Sequence, residues 1–227
     1  MRREEVMIIV TTHQEDMLPT LLRSLSRVPH QKVINIAQNK LGTNFKYVFD
    51  VAKNSGKRYV VTMDDDIELI DSDTIDRCIE VMEDKNWAMC STYETYNKEF
   101  DPSKHALEPI ERKWLPGYLI VIDMQKMSGY IVDSSLNDNE DHIDIDMSMY
   151  AHSLGYRMGR ADRVVIHNTD NHTPESKLKM IRDGHSQYFI AHDNLLRKWS
   201  MESTIVPGKS VYDATYVKAE NVYSALT

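Results

Sequence analysis

The chain reads as an α/β protein built on a doubly wound, mostly parallel sheet, and three observations predict this. Short β-branched and aromatic runs alternate with stretches of helical spacing, the pattern of strands joined by right-handed helical crossovers. The runs Val6–Val10 and Tyr59–Met63 are continuously apolar, as in strands covered on both faces. Three consecutive carboxylates, Asp64, Asp65 and Asp66, stand where the second of these runs ends, and open α/β sheets bind ligands just beyond the carboxyl ends of their strands.

The elements follow in order. Val6–Val10 is a buried strand, and residues 15–27 have helical spacing with Leu18, Leu21, Leu22 and Leu25 on one stripe. A strand is predicted over 32–37. A helix over 45–54 presents Phe45, Val48, Phe49 and Ala52, and Gly56 ends it. The Tyr59–Met63 strand leads into the acidic triplet. Asp73 or Thr74 then caps a helix carrying Ile75, Cys78, Ile79 and Met82. Residues 87–92 form a further strand, and the polar stretch 93–113, with Pro102 and Pro109, is expected as a loop over the sheet. The run Trp114-Leu115-Pro116-Gly117 turns into a strand over 118–122. An acidic stretch over 133–146 runs into a helix with Ile143, Met147, Tyr150, Ala151 and Leu154, capped by Gly155. A last strand over 163–166 ends at His167. From Pro174 to about Trp199 a long amphipathic helix is expected, followed by an irregular tail. This divides the chain into a catalytic domain over 1–172 and a carboxyl-terminal helical appendage with its tail over 173–227.

Composition narrows the class. The 227 residues suffice for one domain, and 41% hydrophobic with 27% charged residues is ordinary for a soluble globular protein. A net charge of −8 disfavours broad binding to nucleic-acid backbones. Cys78 and Cys90 lack the spacing of a metal knuckle or redox motif and read as buried thiols of a reducing, cytoplasmic compartment. No apolar run approaches a membrane span or a signal peptide, so no membrane anchor is expected.

The acidic triplet has two readings. It is either a solvated turn or a cluster neutralised by a divalent cation, and hard oxygen ligands suit Mg²⁺ or Mn²⁺. Further motifs favour the cation. The opening Thr11-Thr12-His13-Gln14-Glu15-Asp16 follows the first strand. Ile143-Asp144-Ile145-Asp146 precedes Gly155-Tyr156-Arg157, and Val164-Val165-Ile166-His167 ends the last strand. In this order and spacing, across most of residues 6–167, these motifs resemble the large inverting glycosyltransferase family of the GT-A fold, a Rossmann-like nucleotide-diphospho-sugar transferase fold.

The resemblance implies a metal-dependent hexosyl- or pentosyltransferase that moves a sugar from a nucleotide-sugar donor to an acceptor hydroxyl. Met63-Asp64-Asp65-Asp66 stands for the family's aspartate-x-aspartate motif. Asp66 and His167 are then the metal ligands, with Mn²⁺ more comfortable than Mg²⁺ beside nitrogen. Asp64 faces the ribose or donor sugar, and Asp65 assists orientation or faces solvent. Thr11, Thr12 and His13 line the nucleotide loop. Asp144 is the general base, with Asp141 as its rival, because Ile143 stands where the family has an acidic residue. For Asp144 and Asp146, the alternative is that they merely complement the helix dipole. Gln38 and Asn39 replace the family's aspartate near the base, which a uracil-type base tolerates, so a UDP-sugar is the expected donor. Trp114, Gly117 and Tyr118 border the donor sugar, or the two aromatics simply pack. The acceptor is a glycan, a protein side chain or a modified nucleobase. The competing classes are a metal-dependent phosphohydrolase, a sugar nucleotidyltransferase and a catalytically silent nucleotide-sugar-binding module. The first wants an aspartyl nucleophile after the first strand, where Thr11-Thr12-His13 stands. The second wants a glycine-rich loop there, and none is present.

Overall fold

The computed structural model describes residues 3–12, 18–36, 42–133, 136, 142–168, 194–204 and 215–218. Its centre is an eight-stranded sheet. The strands are β1 (Val6–Thr12), β2 (Gln31–Ile36), β3 (Tyr59–Asp64), β4 (Ile67–Leu69), β5 (Trp87–Thr95), β6 (Ile110–Arg112), β7 (Leu119–Asp123) and β8 (Arg157–His167). They lie in the order β2-β1-β3-β7-β5-β8-β4, with β6 also on β8. The strands β1, β2, β3, β5 and β8 all run the same way, which gives the expected parallel body. The one strand reversed within this body is β7, antiparallel to both β3 and β5. Its apolar run, buried on both faces, looks the same in either direction. The reversal brings its first residues, rather than its last, to the ligand-binding end of the sheet.

Among the described residues the sheet is flanked by α1 (Leu18–Ser26), α2 (Gly42–Ser55), α3 (Thr74–Lys85) and α4 (Ile143–Ser153). Alternation along the strands sorts them into two layers. Ile8, Val10, Val61 and Met63 point to one side and pack with Leu25, Ile75, Cys78, Ile79 and Met82 of α1 and α3. Met7, Ile9, Val60, Ile120 and Ile122 point to the other and pack with Val48, Phe49, Ala52, Ile143, Met147 and Ala151 of α2 and α4. Fully burying one such side chain contributes about 1.5–3 kcal/mol. Strands buried on both faces therefore make this core.

Several boundaries differ from expectation for physical reasons. Leu22 is exposed on the outer side of α1, and Leu154 is exposed because it caps α4 just past the last helical residue. Asp73 precedes α3 but makes no side-chain cap. Its carboxylate instead accepts from Arg163 Nε and Nη2 at 3.1 and 2.8 Å, a forked pair stronger than a single cap contact. The excursion over 93–113 contains the end of β5 and the short strand β6, which pairs with the first half of β8. The last strand is longer than its apolar core because polar Arg157, Arg160 and Asp162 continue the ladder. Gly56 and Gly155 end α2 and α4 at φ +66° and +77°, as expected. Of the long carboxyl-terminal helix, residues 194–199 are helical and the rest lies outside the described residues. In the tail, β9 (Met201–Thr204) and β10 (Thr215–Lys218) pair antiparallel. Among the described residues, no helix is long and apolar enough to cross a membrane.

Candidate functional site

The acidic triplet forms a tight turn rather than a helix cap. The strand β3 ends at Asp64, whose N–H donates to the Tyr118 carbonyl at 3.0 Å. Asp65 and Asp66 turn the chain into β4, which pairs antiparallel with the end of β8 so that Ile67 opposes His167. The Asn168 N–H closes the corner on the Asp66 carbonyl at 2.8 Å, and its side-chain amide reaches Glu68 at 3.5 Å. This ladder brings two side chains far apart in the sequence together. His167 Nε2 lies 3.1 Å from Asp66 Oδ2.

The other ring nitrogen of His167, Nδ1, lies 3.0 Å from Glu94 Oε2 at the end of β5. Tyr96 stacks on the ring at 5.4 Å with an interplanar angle of 16°, and Tyr118 tilts against it at 6.0 Å. Burial by itself would depress the His167 pKa. The hydrogen bonds to Asp66 and Glu94, with the Asp66 and Asp64 charges, outweigh it and raise the ring to about 10. Desolvation by surrounding protein, and then the Asp66 carboxylate, push Asp64 up to about 7, although the residue also meets solvent. Crowded carboxylates held next to an imidazole make a place where positive charge is favoured.

Asp144 stands on the first turn of α4, buried, with Oδ1 accepting the Ile145 N–H at 2.8 Å. Its Oδ2 lies 3.6 Å from the point a Cβ on Gly117 would occupy, which sets the Gly117 backbone directly beside this carboxylate. The Asp144 charge contributes to the rise at Asp64, which places both in one electrostatic neighbourhood. Thr11 sits beside Asp64 in the sheet ladder and Thr12 beside Ile36, so both reach the same end of the sheet. Trp114 is half-buried against the cluster of Leu136, Ile145 and Leu195. His13, Gln38, Asn39 and Asp141 lie outside the described residues.

Sequence reasoning missed two residues here, Glu94 and Asn168, and the role of a third, Asp146. Glu94 fell in an expected loop because the apolar signal of β5 stops at Thr92, two residues before the strand's useful end. Asn168 follows the last strand with no motif of its own. Asp146 shares the helix start with Asp144 but points elsewhere. It accepts from Tyr130 Oη at 2.8 Å, Lys198 Nζ at 2.9 Å and Trp199 Nε1 at 2.7 Å, and ties residues 194–199 to α4.

Among the described residues, no group of three or more His, Cys, Asp or Glu side chains is arranged to hold a metal ion. The Asp66–His167 pair does fit two ligands of an ion that takes the rest from elsewhere. Ligands about 2.1 Å from an octahedral ion and at right angles lie about 3.0 Å apart, and this pair is at 3.1 Å. Ions of this type commonly use one or two protein ligands and complete their shell with substrate phosphates and water.

The family model described as Poxvirus P35 protein matches residues 34–139. No curated protein matches the chain by sequence. Among solved structures, the chain is similar to the mannosyltransferase PcManGT from Pyrobaculum calidifontis in complex with GDP-Man and Mn²⁺. The TM-score is 0.52 at 15% identity, over 85% of this chain and 69% of that one. It is also similar to S. aureus TarS 1-349 in complex with UDP-GlcNAc, at 0.52 and 12%, over 74% of this chain and 59% of that one. GalNAc-T7 with UDP, GalNAc and Mn²⁺ gives 0.60 and 10%, over 86% of this chain and 48% of that one. The chain therefore spans about half to two thirds of these proteins. At such identities the likeness establishes the fold, which is the Rossmann-like GT-A fold.

Proposed function

We propose that this chain is a metal-dependent glycosyltransferase that moves a sugar from a nucleotide-sugar donor, a UDP-sugar first, to an acceptor hydroxyl. The observation that carries the proposal is the Asp66–His167 pair, 3.1 Å apart where β3 turns into β4 and β8 ends. Support comes from the neighbours of the same fold, two of which hold a nucleotide or nucleotide sugar together with Mn²⁺.

In this reading Asp66 and His167 hold Mn²⁺ or Mg²⁺, and Asp64 faces the ribose or the donor sugar. Asp65 orients the turn. Thr11, Thr12 and His13 contact the nucleotide, as do Gln38 and Asn39. When bound, the ion supplies Lewis-acid charge beside the departing diphosphate. Asp144 accepts the proton of the acceptor hydroxyl as that oxygen attacks the anomeric carbon from the face opposite the leaving group, which inverts the centre. Asp141 is the alternative base. Trp114 and Gly117 border the donor sugar.

A thermal-shift panel tests the proposal, because a ligand that binds only the native state raises the melting temperature by mass action. UDP and UDP-sugars are expected to stabilise the chain with Mn²⁺ and to lose that effect in excess chelator. Equal shifts with and without chelator would remove the metal from the reading. Metal-dependent binding with no sugar transferred to any offered glycan, protein or nucleobase acceptor would favour a silent binding module.

A further inference from the structure

The geometry points to Glu94 as a positioning residue of the site: it holds the His167 ring so that Nε2 faces Asp66 and the ion. This inference rests on the metal reading above and goes beyond it, since no motif pointed to Glu94.

The two nitrogens of an imidazole lie on different edges of the ring. Nε2 is directed at Asp66, at 3.1 Å, and Nδ1 at Glu94, at 3.0 Å. A carboxylate accepts but cannot donate, so the Nδ1 contact requires a proton on Nδ1. That assignment leaves the Nε2 lone pair free for a ligand role once its own proton is displaced. Glu94 lies on the far side of the ring and so does not bind the same ion with Asp66. It acts through the histidine. A ligand imidazole that donates its second N–H to a carboxylate is fixed in tautomer and orientation and becomes more basic.

The backbone makes this contact durable. Glu94 is beside Val165 in the β5–β8 ladder, so strand pairing delivers its carboxylate to the ring. Tyr96, the residue after β5 ends, stacks on the ring, while Tyr118, just before β7, borders it. The ring is thus restrained in plane by the aromatics and in rotation by the two carboxylates. Glu94 retains 28% side-chain exposure and is not core, so its substitution should leave the fold intact.

The test uses the full chain with Mn²⁺ and UDP as probes, reading free Mn²⁺ by electron paramagnetic resonance. Glu94→Ala is expected to weaken Mn²⁺ binding in the presence of UDP about 10–100-fold. Glu94→Gln, which keeps a neutral acceptor, should lose less. On a His167→Ala background the Glu94→Ala change should add almost nothing, because there is no ring left to orient. A fully additive loss would mean that Glu94 acts only through its charge, and would overturn the inference. Unchanged affinity in Glu94→Ala, with wild-type binding intact, would overturn it too and leave the metal reading standing. If wild-type protein takes up no Mn²⁺ with UDP, the metal reading fails instead. Glu94 is then judged on the metal-free chain from the ring Nδ1–H proton resonance of His167. Slow exchange in the wild type and loss in Glu94→Ala would support the orienting contact, and an identical resonance in both would refute it.

Discussion

Replacing Asp146 by alanine isolates what the second aspartate of α4 does. Its carboxylate is fully buried and accepts from Tyr130, Lys198 and Trp199. Alanine removes all three acceptor contacts. The Tyr130 hydroxyl sits inside the core and the Trp199 indole is half-buried, so both become donors without this acceptor. Each buried donor left unsatisfied costs about 1–3 kcal/mol. Lys198 loses less, because it is 3.3 Å from Asp133 and keeps that partner. The expected total is about 3–5 kcal/mol, in line with breaking one side of a buried ion pair. Urea unfolding of the full chain measures it as a lowered midpoint at unchanged slope. Hydrogen exchange should also quicken at residues 194–199, which lose their tether. Tyr130→Phe should cost a smaller part, since it removes one donor and leaves the acceptor to the other two. A loss below about 1 kcal/mol in Asp146→Ala would refute the buried-anchor argument. It would return Asp146 to the bland role of complementing the helix dipole.

Asp66→Ala and His167→Ala should each sharply weaken metal-dependent UDP binding, so that the thermal shift is lost at ligand concentrations that stabilise the wild type, while keeping the far-ultraviolet circular dichroism of the fold; full metal affinity in His167→Ala would make the histidine structural. Asp144→Asn should bind donor normally and lose about 10²- to 10⁴-fold in turnover, measured on the first acceptor that supports transfer. If Asp141→Asn is the slow variant instead, the base is Asp141. The His167 pKa is raised from 6.5 to about 10, so the folded chain holds that proton more tightly than the unfolded chain does. Its contribution to metal-free stability is full below pH 6.5 and is lost as the pH climbs toward about 10. Over the same window Mn²⁺ competes with that proton, so its affinity should rise with pH. Calorimetric titration of Mn²⁺ with UDP across this range checks the sign, and an affinity that falls with pH would contradict it.

The sheet was legible because its strands are buried on both faces. Val6–Val10 and Tyr59–Met63 are uninterrupted apolar runs, and glycines at 56 and 155 mark where helices stop. Strand direction was not legible, since Leu119–Asp123 carries no feature that distinguishes up from down once both faces are covered. In the candidate site, the residues that the fold brings together were legible where charge concentrates next to a strand, at Asp66 and at His167. The site was illegible where polar residues extend a ladder beyond its apolar part. Glu94 and the outer residues of β8 are held there by pairing with a neighbour rather than by burial. The aspartates at 144 and 146 show a further limit. Two residues apart on a helix, they face different ways, and only the packing of residues 194–199 against α4 tells the buried anchor from the residue beside Gly117.

The reversal of β7 has a consequence for how this scaffold tolerates change. The chain leaves the sheet at the end of β5, by Thr95, runs along the edge of β8 as β6, and re-enters at Leu119 on the same rim. Both anchors of this excursion therefore stand beside the acidic turn, and neither is a crossover that must span the sheet. Lengthening such a surface loop is thermodynamically mild, since each doubling costs only about 0.6 kcal/mol in closure entropy. New recognition surface can accordingly be grafted between residues 97 and 108 without touching the strands that hold Asp66 and His167. The fold separates a fixed bench of strand ends from one exchangeable wall, and variation in what the protein grips is expected to accumulate in that wall.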